Sequence, residues 1–374
     1  MSELHSDTCN VLIACGGTGG HLFPGIAVAQ EIAKRGGKAI LLISEKAIDK
    51  MASEDYPDLT FVPLPAVAMP KVLSLKFPMF LWRFFRSFLE CKQILRRFDI
   101  TSVLGMGGFT SLPPIIAGHR SKLPTFVHES NAFPGKANRL AARFCDEVFI
   151  GMTGAKNYFS GYETSLVGTP VREAILMRRE TTSENKAAAR ESLGLDGERM
   201  TVVVTGGSQG ARAVNSAMVA ALEKLPDDAV QVFWITGPNE YQRVKEEVVK
   251  LKQTVVVVDF CNRMEDALVA ADIAVARAGA STLTEFSAVG LPAILIPYPF
   301  AADDHQTHNA KNFTDRGAAL MFQESELGKG VLADTLKALA EDKERLAGMS
   351  SAMAILFLDS PAETIANRVL HAQK

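Results

Sequence analysis

The segment Asn10–Gly20, NVLIACGGTGG, joins a short apolar run directly to a glycine-rich loop, and helical spacing follows, with Ile26, Ala29, Ile32 and Ala33 on one face. Thr201–Ala211, TVVVTGGSQGA, repeats that construction and leads into a second helical stretch, Val214–Leu225. A short apolar run between turn signals reads as a parallel strand buried on both faces. Such strands alternating with helices argue for an open, doubly wound α/β sheet. The two copies lie too far apart for a solenoid repeat. Further strands are expected at Ala39–Ile43, Ser102–Leu104, Thr125–Val127 and Glu147–Ile150, and again at Gln231–Ile235, Val255–Asp259, Ile273–Ala276 and Ala293–Pro297.

A chain of 374 residues exceeds the roughly 250–300 at which one core stops growing. Two similar sheets in tandem are therefore expected, divided as residues 1–168 and 169–374. The division falls just before Met177–Arg199, the most charged and least periodic stretch. The tail Asp334–Ala372 reads as helical, its last helix packing back on the first domain.

Charge and composition exclude several classes. With 40 Lys and Arg against 42 Asp and Glu, the net charge is -2, so no broad basic field exists for nucleic acid. The five cysteines are scattered and form no CxxC pair, which fits reduced thiols in a cytosolic protein. Val11–Cys15 is too short for the apolar region of a secretory signal. Ile100–Gly118 and Ala288–Ala302 are uncharged, but glycines interrupt the first and prolines both, so neither reads as a membrane span.

The loops carry the chemistry. Gly16–His21, GGTGGH, sits between a strand and a helix, where glycines admit close approach and unpaired N–H groups attract an oxygen-rich anion. It lacks the spacing of a dinucleotide fingerprint and the lysine of a P-loop. His21 is either a capping residue or a general base, since an imidazole titrating near pH ~6.5 suits proton removal. Gly206–Arg212, GGSQGAR, adds hydroxyl, amide and guanidinium donors for a diphosphate leaving group. Arg277–Glu285, RAGASTLTE, opens another helix, and Glu285 is either a capping-box acid or a ribose ligand. Asp303–Asn309, DDHQTHN, reads as a polar loop in which Gln306 suits sugar hydroxyls. His128–Asn131, HESN, and Gly105–Phe109, GMGGF, follow two other strands. The stretch Pro70–Phe98 interleaves Phe77, Phe80, Trp82, Phe84 and other apolar residues with Lys71, Lys76, Arg83 and Arg86, and holds no acid between Lys71 and Glu90. It is either a core helix with solvated arginines or an interfacial element on anionic lipid.

Taken in order, GGTGGH, GMGGF, HESN, GTPVR, GGSQGAR, RAGASTLTE and DDHQTHNA resemble the MurG family of bacterial N-acetylglucosaminyltransferases. The resemblance implies a GT-B fold, two Rossmann-like domains with parallel sheets facing across a cleft. It implies inverting transfer of GlcNAc from UDP-GlcNAc to the muramyl 4-hydroxyl of lipid I, giving lipid II, with no cofactor and no metal in the catalytic centre. The implied partners are UDP-GlcNAc, lipid I, the cytoplasmic face of the bacterial inner membrane, where the protein would sit peripherally, and other cell-wall synthesis proteins, with no nucleic acid. Residue by residue, Thr18, Gly19, Gly20, Asn131, Arg172 and Ser208 match donor contacts, and Cys261 falls where the main chain approaches uracil. Ala280, Ser281, Thr282, Leu283, Thr284 and Glu285 match the uridine and diphosphate run, with Glu285 on the ribose, and Gln306 matches the amide that reads the sugar. His21 lines the acceptor side with Gly105, Gly107, Gly108 and Phe109. His21 ranks first as base, ahead of His128 and Glu129. The Pro70–Phe98 segment matches the membrane-docking region. Many relatives carry Tyr at the position of Phe109, Gln at Ser130 and an aliphatic residue at Cys261.

Overall fold

A computed structural model describes residues 9–17, 19–44, 54–65, 77–179, 182–207 and 209–372. The chain forms two compact units, one of Met1–Arg172 with Leu358–Lys374 and one of Glu173–Phe357. The first division therefore falls four residues beyond the expected one, and the terminal segment belongs to the first unit.

In the first unit, β1 (Asn10–Ala14), β2 (Lys38–Ile43), β3 (Thr60–Pro63), β4 (Ser102–Gly105), β5 (Thr125–Glu129), β6 (Glu147–Ile150) and β7 (Thr164–Leu166) form one sheet. Its order is β3-β2-β1-β4-β5-β6-β7 and its pairings are parallel. Val11 to Ala14 are buried, as a central strand covered on both faces requires. One face is covered by the helix Gly19–Lys34, whose Ile26 and Ile32 share a core with Ile365, Ala366 and Val369 of the C-terminal helix Pro361–His371. The Ser102 hydroxyl donates to the Val369 carbonyl at 2.9 Å, fastening that last helix to β4. On the other face Leu12, Ile40 and Val103 pack with Cys91, Ile94 and Leu95 of the helix Phe77–Arg97.

The second unit repeats the plan with β8 (Thr201–Thr205), β9 (Gln231–Ile235), β10 (Val255–Val258), β11 (Ile273–Ala276), β12 (Ala293–Leu295) and β13 (Ala319–Met321), in the parallel order β10-β9-β8-β11-β12-β13. Trp234 on β9 is fully buried and donates through Nε1 to Asn215 Oδ1 at 3.0 Å. The charged stretch after the first division is ordered in part, contrary to its lack of periodicity. Thr182 caps a helix Ser183–Ser192, accepting from the Asn185 N–H. Arg190 is buried there, donating to the Ala270 and Gly197 carbonyls and pairing with Asp272 at 2.7 Å. A salt-bridged arginine thus shares the inward face with Ala189, which packs on Val269 and Ala270, in place of the longer apolar stripe that a sequence reading looks for.

Candidate active site

In the first sheet β1 and β4 are neighbours, yet the chain leaves them toward opposite edges. Such a switch point opens a crevice at the strands' carboxyl ends, where ligands bind in doubly wound sheets. The two loops issuing there are Cys15–Gly17 and Met106–Phe109. They are tied together. The Thr110 hydroxyl donates to the Gly16 carbonyl at 3.0 Å, and the Ser111 hydroxyl is shared between the carbonyls of Gly107 and Ala14 at 2.8 and 3.2 Å. Gly16 passes so close to β2 that a Cβ there would lie 2.4 Å from the Ser44 nitrogen. Gly19 and Gly20 form the first turn of the helix that follows.

His21 stands in that first turn, half-buried, with its Nδ1 sealed from solvent. Burial pushes its pKa below the ordinary imidazole value, and the Met106 backbone pulls the other way. The ring is therefore uncharged at neutral pH. It lies against Gly107 and Gly108, whose φ angles of 115° and 76° are conformations that glycine adopts without strain. A Cβ on Gly107 would sit 2.8 Å from His21 Cε1. Phe109 is half-buried against the core. Gly105 differs from its expected role. It is a buried strand end where a Cβ would strike Ile115 and Ser111, so it serves packing rather than a ligand.

His128 and Glu129 are both fully enclosed. His128 Nε2 donates to the Gly168 carbonyl at 2.8 Å, and Nδ1 faces the Ser130 hydroxyl at 3.3 Å. Burial, with a smaller contribution from His21, takes its pKa down to about 4. Glu129 Oε1 accepts from the backbone and side-chain nitrogens of Asn131, both at 2.9 Å, and Oε2 accepts from Gly135 N at 3.0 Å and Asn138 Nδ2 at 2.8 Å. Burial raises its pKa against the pull of these donors. Both groups hold the loop that follows β5 and have their polar atoms engaged, so the geometry favours His21 as base over either. Arg172 lies in this unit with its guanidinium 5.0 Å from the Phe23 ring centre. Asn138 and Ser111 belong to this constellation and carry no sequence signal. Only the fold returns them to the two loops.

The second unit has its own switch point between β8 and β11, and a pocket of about 800 Å³ lies there. Gly206, Gly207 and Gly210 line it with Arg212, which begins the helix Arg212–Leu222. Gly279 and Thr282 bring in the N-terminus of a second helix, Ala280–Val289. Two helix N-termini directed at one pocket favour a polyanion. Gln306 also lines it. Its Oε1 accepts from the N–H groups of Tyr298 at 3.0 Å and Ala278 at 3.2 Å, which leaves the amide NH₂ as the free end. Arg277 pairs with Glu324, donates to the Ile296 and Pro297 carbonyls, and lies over the Tyr298 ring.

Residues 11–150 match the glycosyltransferase family 28 N-terminal domain and residues 201–368 the glycosyltransferase family 28 C-terminal domain. The protein of Desulforamulus reducens named UDP-N-acetylglucosamine--N-acetylmuramyl-(pentapeptide) pyrophosphoryl-undecaprenol N-acetylglucosamine transferase is 34% identical over 351 residues, 91% of this chain and 92% of that one. The protein of the same name from Myxococcus xanthus is 36% identical over 363 residues, 96% of this chain and 91% of that one. This chain belongs to that transferase family. The fold agrees, since the structure of Acinetobacter baumannii MurG superposes with a TM-score of 0.78 at 23% identity, over 97% of this chain and all of that one. A UDP-GlcNAc 2-epimerase from Neisseria meningitidis shares the fold at a TM-score of 0.69 and 14% identity, over 97% of this chain. The chain is thus a family 28 hexosyltransferase of GT-B fold.

Within this transferase the other expected donor residues are placed as follows. Ala280, Ser281, Thr284 and Glu285 lie in the helix Ala280–Val289. Leu283 is fully buried, so its side chain is closed to a ligand, and the Thr284 hydroxyl is spent on the Ala280 carbonyl at 2.9 Å. Cys261 is half-buried in the loop after β10. Thr18, Ser208, Lys71 and Lys76, and the side chain of Phe77, lie outside the described residues. Among the described residues no group of three or more His, Cys, Asp and Glu side chains is placed to hold a metal.

The helix Phe77–Arg97 is apolar on two faces. Phe84 and Phe88 turn to the core with Cys91. Met79, Leu81, Trp82, Phe85 and Leu89 stand 45–60% exposed, and Arg83 and Arg86 are exposed beside them. Phe84, expected at the docking surface, is thereby taken up by packing, and Phe80 is half-buried beside it, 6.1 Å away ring to ring. No helix among the described residues is long and apolar enough to cross a membrane.

Proposed function

We propose that this transferase moves GlcNAc from UDP-GlcNAc to the muramyl 4-hydroxyl of undecaprenyl-pyrophosphoryl-MurNAc-pentapeptide, lipid I, and so makes lipid II for peptidoglycan. The observation that carries the reading is membership of a family so named in a chain that owns both required parts. One is an uncharged half-buried imidazole at the first switch point, and the other is a glycine-lined, polyanion-binding pocket at the second.

The chemistry is one displacement. The acceptor oxygen bonds to the anomeric carbon, the bond from that carbon to the diphosphate oxygen breaks with its electron pair, and the hydroxyl proton passes to His21. Inversion follows from attack opposite the leaving group. The N-termini of the helices Arg212–Leu222 and Ala280–Val289 receive the charge developing on UDP, a preorganised stabilisation of the departing oxygen. Gln306, with its oxygen clamped, offers N–H donors to sugar hydroxyls, and Glu285 takes the ribose. Holding donor and acceptor together supplies the proximity contribution.

The acceptor is a lipid, and the exposed face of Phe77–Arg97 is the element suited to reach it. Met79, Leu81, Trp82, Phe85 and Leu89 enter the headgroup boundary, and Arg83 and Arg86 meet anionic lipid. Placement on the cytoplasmic face of the inner membrane, among other cell-wall synthesis proteins, completes the reading.

The test is transfer of radiolabelled GlcNAc from UDP-GlcNAc to a lipid I analogue, with diacylglycerol as a parallel acceptor, with and without EDTA. Labelled disaccharide lipid in both lipid I samples supports the proposal. Label on diacylglycerol alone, or conversion of the free sugar nucleotide with no lipid product, refutes it.

A further inference from the structure

Among the described residues, His21 Nδ1 and Asn138 Oδ1 are buried without a hydrogen-bond partner, and both side chains border Gly107. A Cβ built on Gly107 would lie 3.1 Å from His21 Nδ1 and 3.2 Å from Asn138 Nδ2. Only a residue without a side chain leaves that space open.

The orientation of the Asn138 amide is fixed by its neighbours. Its Nδ2 donates to Glu129 Oε2 at 2.8 Å and to the His128 carbonyl at 3.2 Å. Both partners are acceptors, so the flipped amide would set oxygen against oxygen. Oδ1 is therefore a committed acceptor, on a side chain only 4% exposed. A histidine that takes a proton through Nε2 must carry its resting hydrogen on Nδ1, which makes Nδ1 a donor. One buried ring nitrogen and one buried acceptor oxygen thus belong to two side chains that meet at the same glycine, and a buried polar group left unpaired is costly.

We propose that Asn138 is the positioning residue for His21. Its Oδ1 receives the His21 Nδ1–H through one water, which holds the ring in the tautomer whose Nε2 is free to accept the hydroxyl proton. The same oxygen then supports the imidazolium formed during transfer. The arrangement rests on His21 being the base. The charged or titratable groups on β5 are His128 and Glu129, and neither supplies this acceptor, because the oxygens of Glu129 are already filled by four donors.

The test uses the full-length protein with ¹⁵N-labelled histidine, where imidazole nitrogen shifts report the tautomer. The wild-type ring is expected as Nδ1–H. Asn138→Leu is expected to lose that preference and to lower kcat at least about tenfold, inside the 10²–10⁴ that a positioned base contributes, with donor KM changed less than about twofold. A wild-type ring in the Nε2–H form overturns the proposal, and so does an unchanged His21 signal in folded Asn138→Leu. If Asn138→Leu does not fold, the wild-type spectrum still decides. A His21→Ala variant with full activity, alongside an Asn138-sensitive tautomer, sinks the base role and leaves the contact standing.

Discussion

The enclosed His128 makes a prediction about acid stability. Its imidazole titrates at about 4 in the folded chain against 6.5 for an unperturbed ring, chiefly because burial disfavours the charged form. Between those two pH values the unfolded chain binds a proton that the folded chain refuses, so stability rises with pH and falls on acidification. At 1.36 kcal/mol per unit, the loss is about 3 kcal/mol by pH ~4. His21 acts in the same direction, and Glu129, whose pKa is raised, acts in the opposite one. Comparing wild type with His128→Gln cancels both. Glutamine keeps an N–H for the Gly168 carbonyl but does not titrate, and its imperfect fit is expected to cost about 1–2 kcal/mol at pH ~7. Native-state hydrogen exchange of the β5 and β6 amides, corrected for intrinsic rates, measures the stability locally. The variant is expected to be the less stable at neutral pH and to gain on wild type by about 3 kcal/mol on going to pH ~4. Parallel pH dependences for the two proteins would refute the claim that the native chain holds His128 neutral.

Three further outcomes follow from the geometry. Gly107→Ala places a methyl group against the His21 ring in a backbone with φ of 115°. It should cost about 1–3 kcal/mol in thermal unfolding and depress transfer more than donor binding. Gln306→Glu keeps the oxygen that accepts from Ala278 and Tyr298 but removes the NH₂ donors, so donor KM should rise about tenfold while unfolding is little changed. Replacing Trp82 with Ala, or Arg83 and Arg86 with Glu, should weaken co-sedimentation with anionic vesicles while leaving the fold intact, since these side chains are exposed.

The repeated strand–glycine–helix construction made both sheets readable, because parallel strands buried on two faces announce themselves as unbroken apolar runs. Strands such as Glu147–Ile150 and Thr201–Thr205 stand where the sequence placed them. The loops at Gly16 and Gly206 were legible for the same reason, since each follows such a strand. The two faces of Phe77–Arg97 were not, because both are apolar and periodicity cannot tell a face turned to the core from one turned outward. The charged stretch around Arg190 concealed a helix, because its inward face is one alanine, Ala189, beside an arginine paired with Asp272 rather than a run of hydrophobic residues. The meeting of Asn138 with Gly107, and the pairing of Arg277 with Glu324, join residues distant in sequence. No spacing rule reaches them, and only the order of strands brings them together.

The most direct test of the account is the product of one reaction, UDP-GlcNAc labelled at the anomeric carbon with a lipid I analogue, run with wild type and with His21→Ala and read by NMR. A β-linkage to the muramyl 4-oxygen is expected, with one UDP released per linkage and a His21→Ala rate about 10²–10⁴ lower with donor affinity nearly unchanged. An α-linkage, a different acceptor atom, or undiminished turnover by His21→Ala would contradict it.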